Sequence, residues 1–167
     1  MAKAKTDKPE KGEKVVKVPK VKATQYYEGI GRRKEAVARV RLYLTGREKV
    51  ATVEGAKIKQ GEIMVNKKAV AVIFNSDSHK IRIAQPFKVT NTEDRFAVSA
   101  HISGGGPNGQ LEALILGIAR ALEKTDKETV RPALKAKGLL TRNAKVRQRR
   151  MVGTGGKARR QKQSPKR

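Results

Sequence analysis

The segment from residue 104 to residue 110 reads Gly-Gly-Gly-Pro-Asn-Gly-Gln and joins a strand-like run to a helix-like run. Backbone amides in such a loop, together with the N-terminus of the following helix, can bind a phosphate. A Walker loop would need lysine and a hydroxyl residue where this chain has Gln110 and Leu111. A dinucleotide fingerprint would need a following strand ending in an acidic residue, but a second helix-like run follows. A tight turn, a nucleotide site and an RNA phosphate site all stay open, and the RNA interpretation uses Gly104, Gly105, Gly106 and Gln110.

Three consecutive cations, Arg32, Arg33 and Lys34, follow Gly31 and precede a strand-like run. Three positive charges beside a backbone turn suit a phosphodiester chain better than a small substrate. The alternative is a solvated charge run on the surface. These residues are therefore candidates for contact with nucleic acid.

The remaining polar residues predict no catalytic set, no metal site and no cofactor. His79 and His101 are far apart and lack the spacing of paired zinc ligands. Glu93 and Asp94 lie in a polar stretch typical of an exposed turn, where neighbouring carboxylates are usually solvated. No serine has a nucleophile-elbow context, and the absence of cysteine excludes disulfides and thiolate chemistry.

The charge of the chain indicates a polyanionic partner. Its 167 residues hold 40 Lys and Arg against 15 Asp and Glu, a formal net charge of +25. Hydrophobic residues are only 37% and aromatic residues 4%, so the core must be aliphatic and part of the chain should lie outside it. No apolar run approaches the roughly 20 residues that a membrane span needs.

The charge distribution divides the chain into three parts. Residues 1–24 are lysine-rich, contain two prolines and have almost no large apolar side chains, which predicts a flexible arm. Residues 25–140 have the composition of a globular body. Residues 141–167 hold eleven basic and no acidic residues, with glycines that interrupt helix formation, and predict an extended tail. Fully stretched, such a tail reaches about 90 Å.

Alternating residues from 36 to 44 predict a half-buried strand. Ala38, Val40, Leu42 and Leu44 would face the core, and the basic outer face would carry Arg39, Arg41 and Tyr43. The runs 63–65 and 69–73 predict a hairpin around Asn66, which tolerates a positive φ.

The second half of the body predicts one more strand and two helices. The strand runs from Phe96 to Ile102, and apolar residues at spacings of three and four predict a helix over 109–123. A second helix is predicted over 126–137, with Asp126 as N-cap and Gly138 just past its C-terminus. The expected fold class is α+β, a small sheet with helices on one face and the other face left for a partner.

Seven landmarks, in order, resemble the bacterial-type family of the ninth protein of the small ribosomal subunit over about residues 25–167. They are GRRKEAVARV at 31–40, VN at 65–66, SGGGPNGQ at 103–110, LGIARAL at 116–122, RPALKAKGLLTR at 131–142, KARR at 157–160 and the final Lys166-Arg167. The resemblance implies a fold like the second domain of the fifth small-subunit protein. That fold has a four-stranded sheet, helices on one face and a left-handed βαβ crossover, against the usual right-handed rule.

The same resemblance implies a cytoplasmic, non-enzymatic constituent of the small subunit. It would bind the 3′ major, or head, domain of small-subunit rRNA beside neighbouring head proteins, and its tail would contact P-site tRNA. Matching positions give Arg32, Arg33, Lys34, Arg142, Arg159 and Arg160 to rRNA phosphates and Lys166 and Arg167 to the tRNA backbone. The basic strand face and the rest of the tail add Arg39, Arg41, Lys145, Arg147, Arg149, Arg150 and Lys157 as rRNA candidates. Pro165, directly before the last pair, departs from the family's usual ending.

Two other classes of function compete with this interpretation. Folds of this type also include small-molecule kinases, in which the glycine loop would bind a nucleotide; measurable ATP binding at moderate salt would favour that class. A general nucleic-acid packaging protein would bind duplex DNA and folded rRNA equally well.

Overall fold

The computed structural model describes residues 25–45, 50–53 and 56–149, so the predicted arm and most of the predicted tail lie outside the described residues. The elements are β1 (Tyr26–Arg33), β2 (Ala36–Leu44), β3 (Val50–Val53), β4 (Ala56–Lys59), β5 (Ile63–Val65), β6 (Lys68–Ala69), α1 (Val70–Ile73), α2 (Asp77–Thr90), β7 (Phe96–Ser103), α3 (Pro107–Thr125) and α4 (Lys127–Ala136).

The α+β class is confirmed, and the described residues form a mixed sheet of five strands in the order β1-β2-β7-β5-β6. The expectation of four strands was wrong, because the short strand β6 extends the sheet beyond β5. Strands β5 and β7 are parallel, and the other pairs in this sheet are antiparallel. Strands β3 and β4 form a separate two-stranded hairpin.

One face of the sheet is filled by helices. The main core joins the inward residues of β2 and β7 to the apolar stripe of α3, and α2 and α4 add Phe87, Val130 and Leu134. The predicted strands at 36–44 and 96–102 and both predicted helices are confirmed, with α3 two residues longer at each end than expected. The stripe predicted for α3 is buried, including Leu111, Leu114 and Ile118.

Two side chains at the end of β2 differ from the expected alternation. Tyr43 is only 4% exposed, because the β3–β4 hairpin covers this part of the outer face. Tyr43 belongs there to a second small core with Ala51, Ile58 and Ala97. Leu44, which was expected in the core, is the last residue of the strand and is 39% exposed.

The predicted hairpin around Asn66 is correct at its turn and wrong beyond it. Asn66 and Lys67 have φ values of 48° and 64°, and only Lys68–Ala69 pairs back onto β5. Residues 70–73 form the short helix α1 instead of a strand, since a brief apolar run has no period that separates the two structures. The side-chain nitrogen Nδ2 of Asn66 donates to the carbonyl of Ile102 (3.0 Å), and the side-chain oxygen Oδ1 accepts from the Ile102 N–H (2.9 Å). These two bonds hold the turn against β7.

Strand β1 packs unusually close to α3. A Cβ on Gly31 would lie 1.8 Å from the carbonyl oxygen of Ala113, and one on Gly29 would lie 2.2 Å from that of Gly117. On the helix side, a Cβ on Gly117 would lie 2.7 Å from a methyl group of Val40. The absence of side chains at these positions lets strand and helix backbones approach each other directly.

The predicted N-cap of α4 is confirmed, and it gives the helix a pH dependence. The carboxylate of Asp126 accepts hydrogen bonds from the Thr129 hydroxyl (2.5 Å) and the Thr129 N–H (3.4 Å). These bonds lower the pKa of Asp126, because they favour its ionised form. The folded pKa is therefore below the unfolded one, and the stabilisation is lost as the pH falls through the folded value.

We expect Asp126→Ala to lower the free energy of unfolding at neutral pH, and we expect its difference from the wild type to shrink as the pH falls below about 4. Urea denaturation between pH 6 and pH 2.5 measures this difference. Asp94→Ala, in the turn before β7, is the matched control. A gap between wild type and Asp126→Ala that stays constant over this range would contradict the assignment.

Candidate nucleic-acid interface

The face of the sheet opposite the helices carries a groove. Residues paired across neighbouring strands share a face, so Arg39 of β2 lies beside His101 of β7, and Arg41 lies beside Ser99. The β3–β4 hairpin borders these residues on one side and the Asn66 turn on another. We call this cavity of about 370 Å³ the sheet groove; it is lined by Arg39, Arg41, Val53, Ile58, Met64, Asn66, Lys67, Ser99, Ala100 and His101.

The polar side chains of the sheet groove differ in how firmly they are held. Arg39, Lys67 and His101 are exposed. Arg41 is half-buried, with its guanidinium 5.0 Å from the ring centre of Tyr26 and its Nε 3.5 Å from the carboxylate of Glu28. Burial alone would lower the pKa of Arg41, but hydrogen bonding to Tyr43 and attraction to Tyr43, Tyr26 and Glu28 raise it overall. Arg41 is thus a permanent charge in a fixed position, whereas Arg39 and Lys67 can reach outward.

The three consecutive cations after Gly31 do not form one cluster. Arg32 and Arg33 end strand β1, which the sequence did not predict, and successive residues of a strand point to opposite faces. Arg32 is exposed on the open face of β1, and Lys34 is exposed in the β1–β2 turn with a φ of 52°. Arg33 points to the helix face, where its side chain is only 14% exposed.

The guanidinium of Arg33 binds protein groups at the start of the predicted tail. Its Nε lies 2.5 Å from the carboxylate of Glu112 in α3. Its Nη1 donates to the carbonyls of Lys145 (2.6 Å) and Asn143 (3.3 Å). Glu112 also lies 3.8 Å from Arg82 of α2. Arg33 therefore connects β1, α3 and the chain that leaves the body, a role that the charge run alone did not indicate.

The glycine loop between β7 and α3 packs tightly against the β1–β2 turn. Gly104 and Gly105 have φ values of 72° and 63°, and a Cβ on Gly104 would lie 2.6 Å from the Glu35 carbonyl oxygen. The Gln110 side chain donates to the Gly104 carbonyl (3.1 Å) and so closes the loop on itself. These contacts account for a tight turn. Gly106, at the N-terminus of α3, is exposed and has open space beside it.

The start of the predicted tail is exposed throughout its described part. Residues 141–149 form neither helix nor strand, and they present Arg142, Lys145, Arg147 and Arg149 to solvent. The other predicted contacts lie outside the described residues: Arg150, Lys157, Arg159, Arg160, Lys166 and Arg167.

The sequence did not predict that Lys67, His101 and Ser99 would line the same groove as Arg39. The alternation of β7 could have placed His101 and Ser99 on the outer face, but nothing local showed that β7 lies next to β2.

Within the described ranges, no cluster of three or more His, Asp or Glu could hold a metal ion. The helices described also include none with the length and apolarity needed to cross a membrane.

Comparison with known proteins gives a consistent result. The sequence profile of the family described as ribosomal protein S9/S16 matches residues 31–167. The chain is also similar to the small ribosomal subunit protein uS9 of Leifsonia xyli subsp. xyli (strain CTCB07). The two are 46% identical over 138 residues, which cover 83% of this chain and 73% of the relative. The resemblance drawn from the seven landmarks is confirmed: the chain belongs to the ribosomal protein S9/S16 family.

Proposed function

We propose that the protein is a structural, non-enzymatic constituent of the small ribosomal subunit that binds its rRNA. The observation that carries the proposal is the asymmetry of the sheet. Helices and an apolar core fill one face, while exposed cations surround a groove on the other. In a chain of net charge +25, rRNA phosphates supply the neutralising charge. The relative at 46% identity is named as a small-subunit protein, which supports the same assembly.

The finer proposal assigns the rRNA contact to the 3′ major domain in the subunit head, among neighbouring head proteins. Two surfaces of the body would contribute: the open sheet face with Arg32, Arg39 and Arg41 beside Lys34 of the β1–β2 turn, and the glycine loop at Gly104, Gly105, Gly106 and Gln110. Arg142, Lys145, Arg147 and Arg149 would continue the contact along the tail, followed by Arg150, Lys157, Arg159 and Arg160. Arg33 would act by holding the tail as well as by adding charge.

We further propose that the chain is organised as arm (1–24), body (25–140) and tail (141–167). The tail leaves the body at the Arg33 contact and contains no acidic residue, so it can follow an RNA backbone. Its last two residues, Lys166 and Arg167, would contact the backbone of P-site tRNA.

The fold proposal includes the handedness of one connection. Strands β5 and β7 are parallel neighbours, and β6, α1 and α2 connect them. The family resemblance implies that this βαβ crossover is left-handed, which is rare among parallel connections.

A competition experiment tests rRNA binding against the rival functions. The full-length protein is mixed with a labelled transcript of the 3′ major domain, and either duplex DNA or ATP is added as competitor. We expect duplex DNA to displace the transcript only at large excess and ATP to have no effect. Equal competition by duplex DNA would indicate a packaging protein, and displacement by ATP would indicate a nucleotide site.

The salt dependence of the same complex gives a quantitative prediction. If six to ten cations contact phosphates, affinity for the transcript should fall by about 10³–10⁵ between 50 and 200 mM salt. Filter binding at several salt concentrations measures the slope. A nearly flat dependence would contradict a phosphate-based contact.

A further inference from the structure

The sheet groove combines two kinds of surface in one cavity. Val53, Ile58 and Met64 give it an apolar lining, whereas the exposed side chains of Arg39 and Lys67 lie at its rim. Among the lining residues that the structure describes, none is a carboxylate. A ligand that fits both parts must have an apolar surface and a negative charge.

The groove is held open by the surrounding structure. The Asn66 side chain bonds both the N–H and the carbonyl of Ile102, which fixes the turn that carries Lys67. The opposite wall is the β3–β4 hairpin, which packs through Ile58 on the small core around Tyr43. Such a preformed cavity loses little entropy when a ligand binds. Its volume of about 370 Å³ is at the lower end of the range for small-ligand sites, about 300–1,000 Å³.

Duplex RNA cannot place a base against the apolar lining of this groove. In a duplex the bases are stacked inside, so only phosphates and riboses would reach the rim. An unstacked nucleotide in a loop or bulge presents a flat base together with its phosphate, and protein surfaces commonly bind such bases by stacking or apolar contact.

We propose that the sheet groove binds one unstacked nucleotide of RNA, with the base against Met64 and the phosphate beside Arg39 and Lys67. This inference rests on the proposed rRNA binding and assigns it a specific site and ligand class. A free nucleoside monophosphate shares the same chemistry, so the test must separate it from a nucleotide within a chain.

Methyl NMR of the full-length protein provides the test, because the chain has only three methionines. Met64 reports on the groove, while Met1 and Met151 belong to the basic terminal segments of the sequence. The probes are hexauridylate, hexaadenylate, an RNA duplex of six base pairs and uridine monophosphate. We expect at least one single-stranded hexamer to shift the Met64 methyl signal strongly and the duplex to leave it in place. Signals of Met1 and Met151 should respond to duplex and single strand alike.

Two variants test separately the space inside the groove and the charge at its rim. Ser99→Leu fills the groove without changing charge, and it should weaken single-strand binding about tenfold while leaving duplex binding unchanged. Arg39→Ala should reduce the slope of log affinity against log salt for the hexamer by about 0.7. Arg131→Ala, on the helix side in α4, removes the same charge and should leave that slope unchanged.

Three results would overturn the proposal. Met64 could fail to respond to both hexamers, duplex and single strand could shift it equally, or uridine monophosphate could match the hexamers at equal concentration. The last result would identify a free-nucleotide site. Because the test uses isolated protein and short RNA, it is independent of whether the protein is retained in ribosomal subunits, so failure of one proposal can be told from failure of the other.

Discussion

Gly31→Ala is expected to destabilise the body by about 3 kcal/mol or more and to lower its Tm by at least roughly 10 °C. The added methyl group would lie 1.8 Å from the carbonyl oxygen of Ala113 and 2.5 Å from the backbone nitrogen of Gly117. Both neighbours are backbone atoms of α3, so no rotamer change relieves the overlap. Strand β1 and α3 would have to separate, and the core between them would lose packing.

The matched control is Gly106→Ala. Gly106 has a φ of −101°, which any residue can adopt, and no heavy atom lies within 4 Å of a Cβ placed there. Its stability should stay within about 0.5 kcal/mol of the wild type. Thermal and urea unfolding of the two variants measures the difference. Equal stability of Gly31→Ala and Gly106→Ala would show that β1 and α3 do not pack at this distance.

Loss of the Arg33 guanidinium is expected to release the start of the tail. Arg33→Met keeps much of the side-chain volume but removes the donors to Lys145 and Asn143 and the partner of Glu112. Because the ion pair is only partly exposed, its coupling energy should be about 1–3 kcal/mol in a double-mutant cycle with Glu112→Gln. Arg33→Lys keeps the charge but cannot bridge all three acceptors, so it should give an intermediate result.

Limited trypsin digestion followed by mass spectrometry reports on the tail directly. The carbonyl of Lys145, at the Lys145–Val146 bond, accepts a hydrogen bond from Arg33 in the wild type. In Arg33→Met, cleavage of this bond should be about tenfold faster, because the Lys145 carbonyl is no longer held by Arg33 and the backbone can adopt the conformation that a protease binds. The Arg147–Gln148 bond, two residues further along an exposed stretch, is the internal control. Unchanged cleavage after Lys145 would mean that Arg33 does not hold the tail.

The elements that could be predicted from sequence are those with a strong apolar period. Strand β2 and helix α3 bury alternating and helically spaced aliphatic residues, and Asp126 and Gly138 mark the ends of α4. Strand β1 was missed because two of its inward positions are Gly29 and Gly31, which allow close approach to α3 but add no apolar side chain to the sequence pattern. Helix α2 was missed because its sequence is mostly polar and contains Pro86, with only Ile83, Pro86 and Phe87 buried.

The failure to predict strand β1 also explains why the positions of the basic residues were predicted only in part. Without β1, Arg32 and Arg33 looked like parts of one basic run, although strand alternation directs them to opposite faces. The basic outer face of β2 followed from its own alternation, and Arg39 lies where it was expected. The sheet groove needed tertiary information, because it joins β2, β5, β7 and a separate hairpin.

The most direct test of the central claim is sedimentation of native small ribosomal subunits through a sucrose gradient after a wash at roughly 0.5 M salt. Nonspecific ionic binding to RNA is largely lost at such ionic strength. A structural constituent held by many simultaneous contacts should remain in the small-subunit fraction, in a constant ratio to the rRNA. Release of the protein into the soluble fraction would contradict the proposed function.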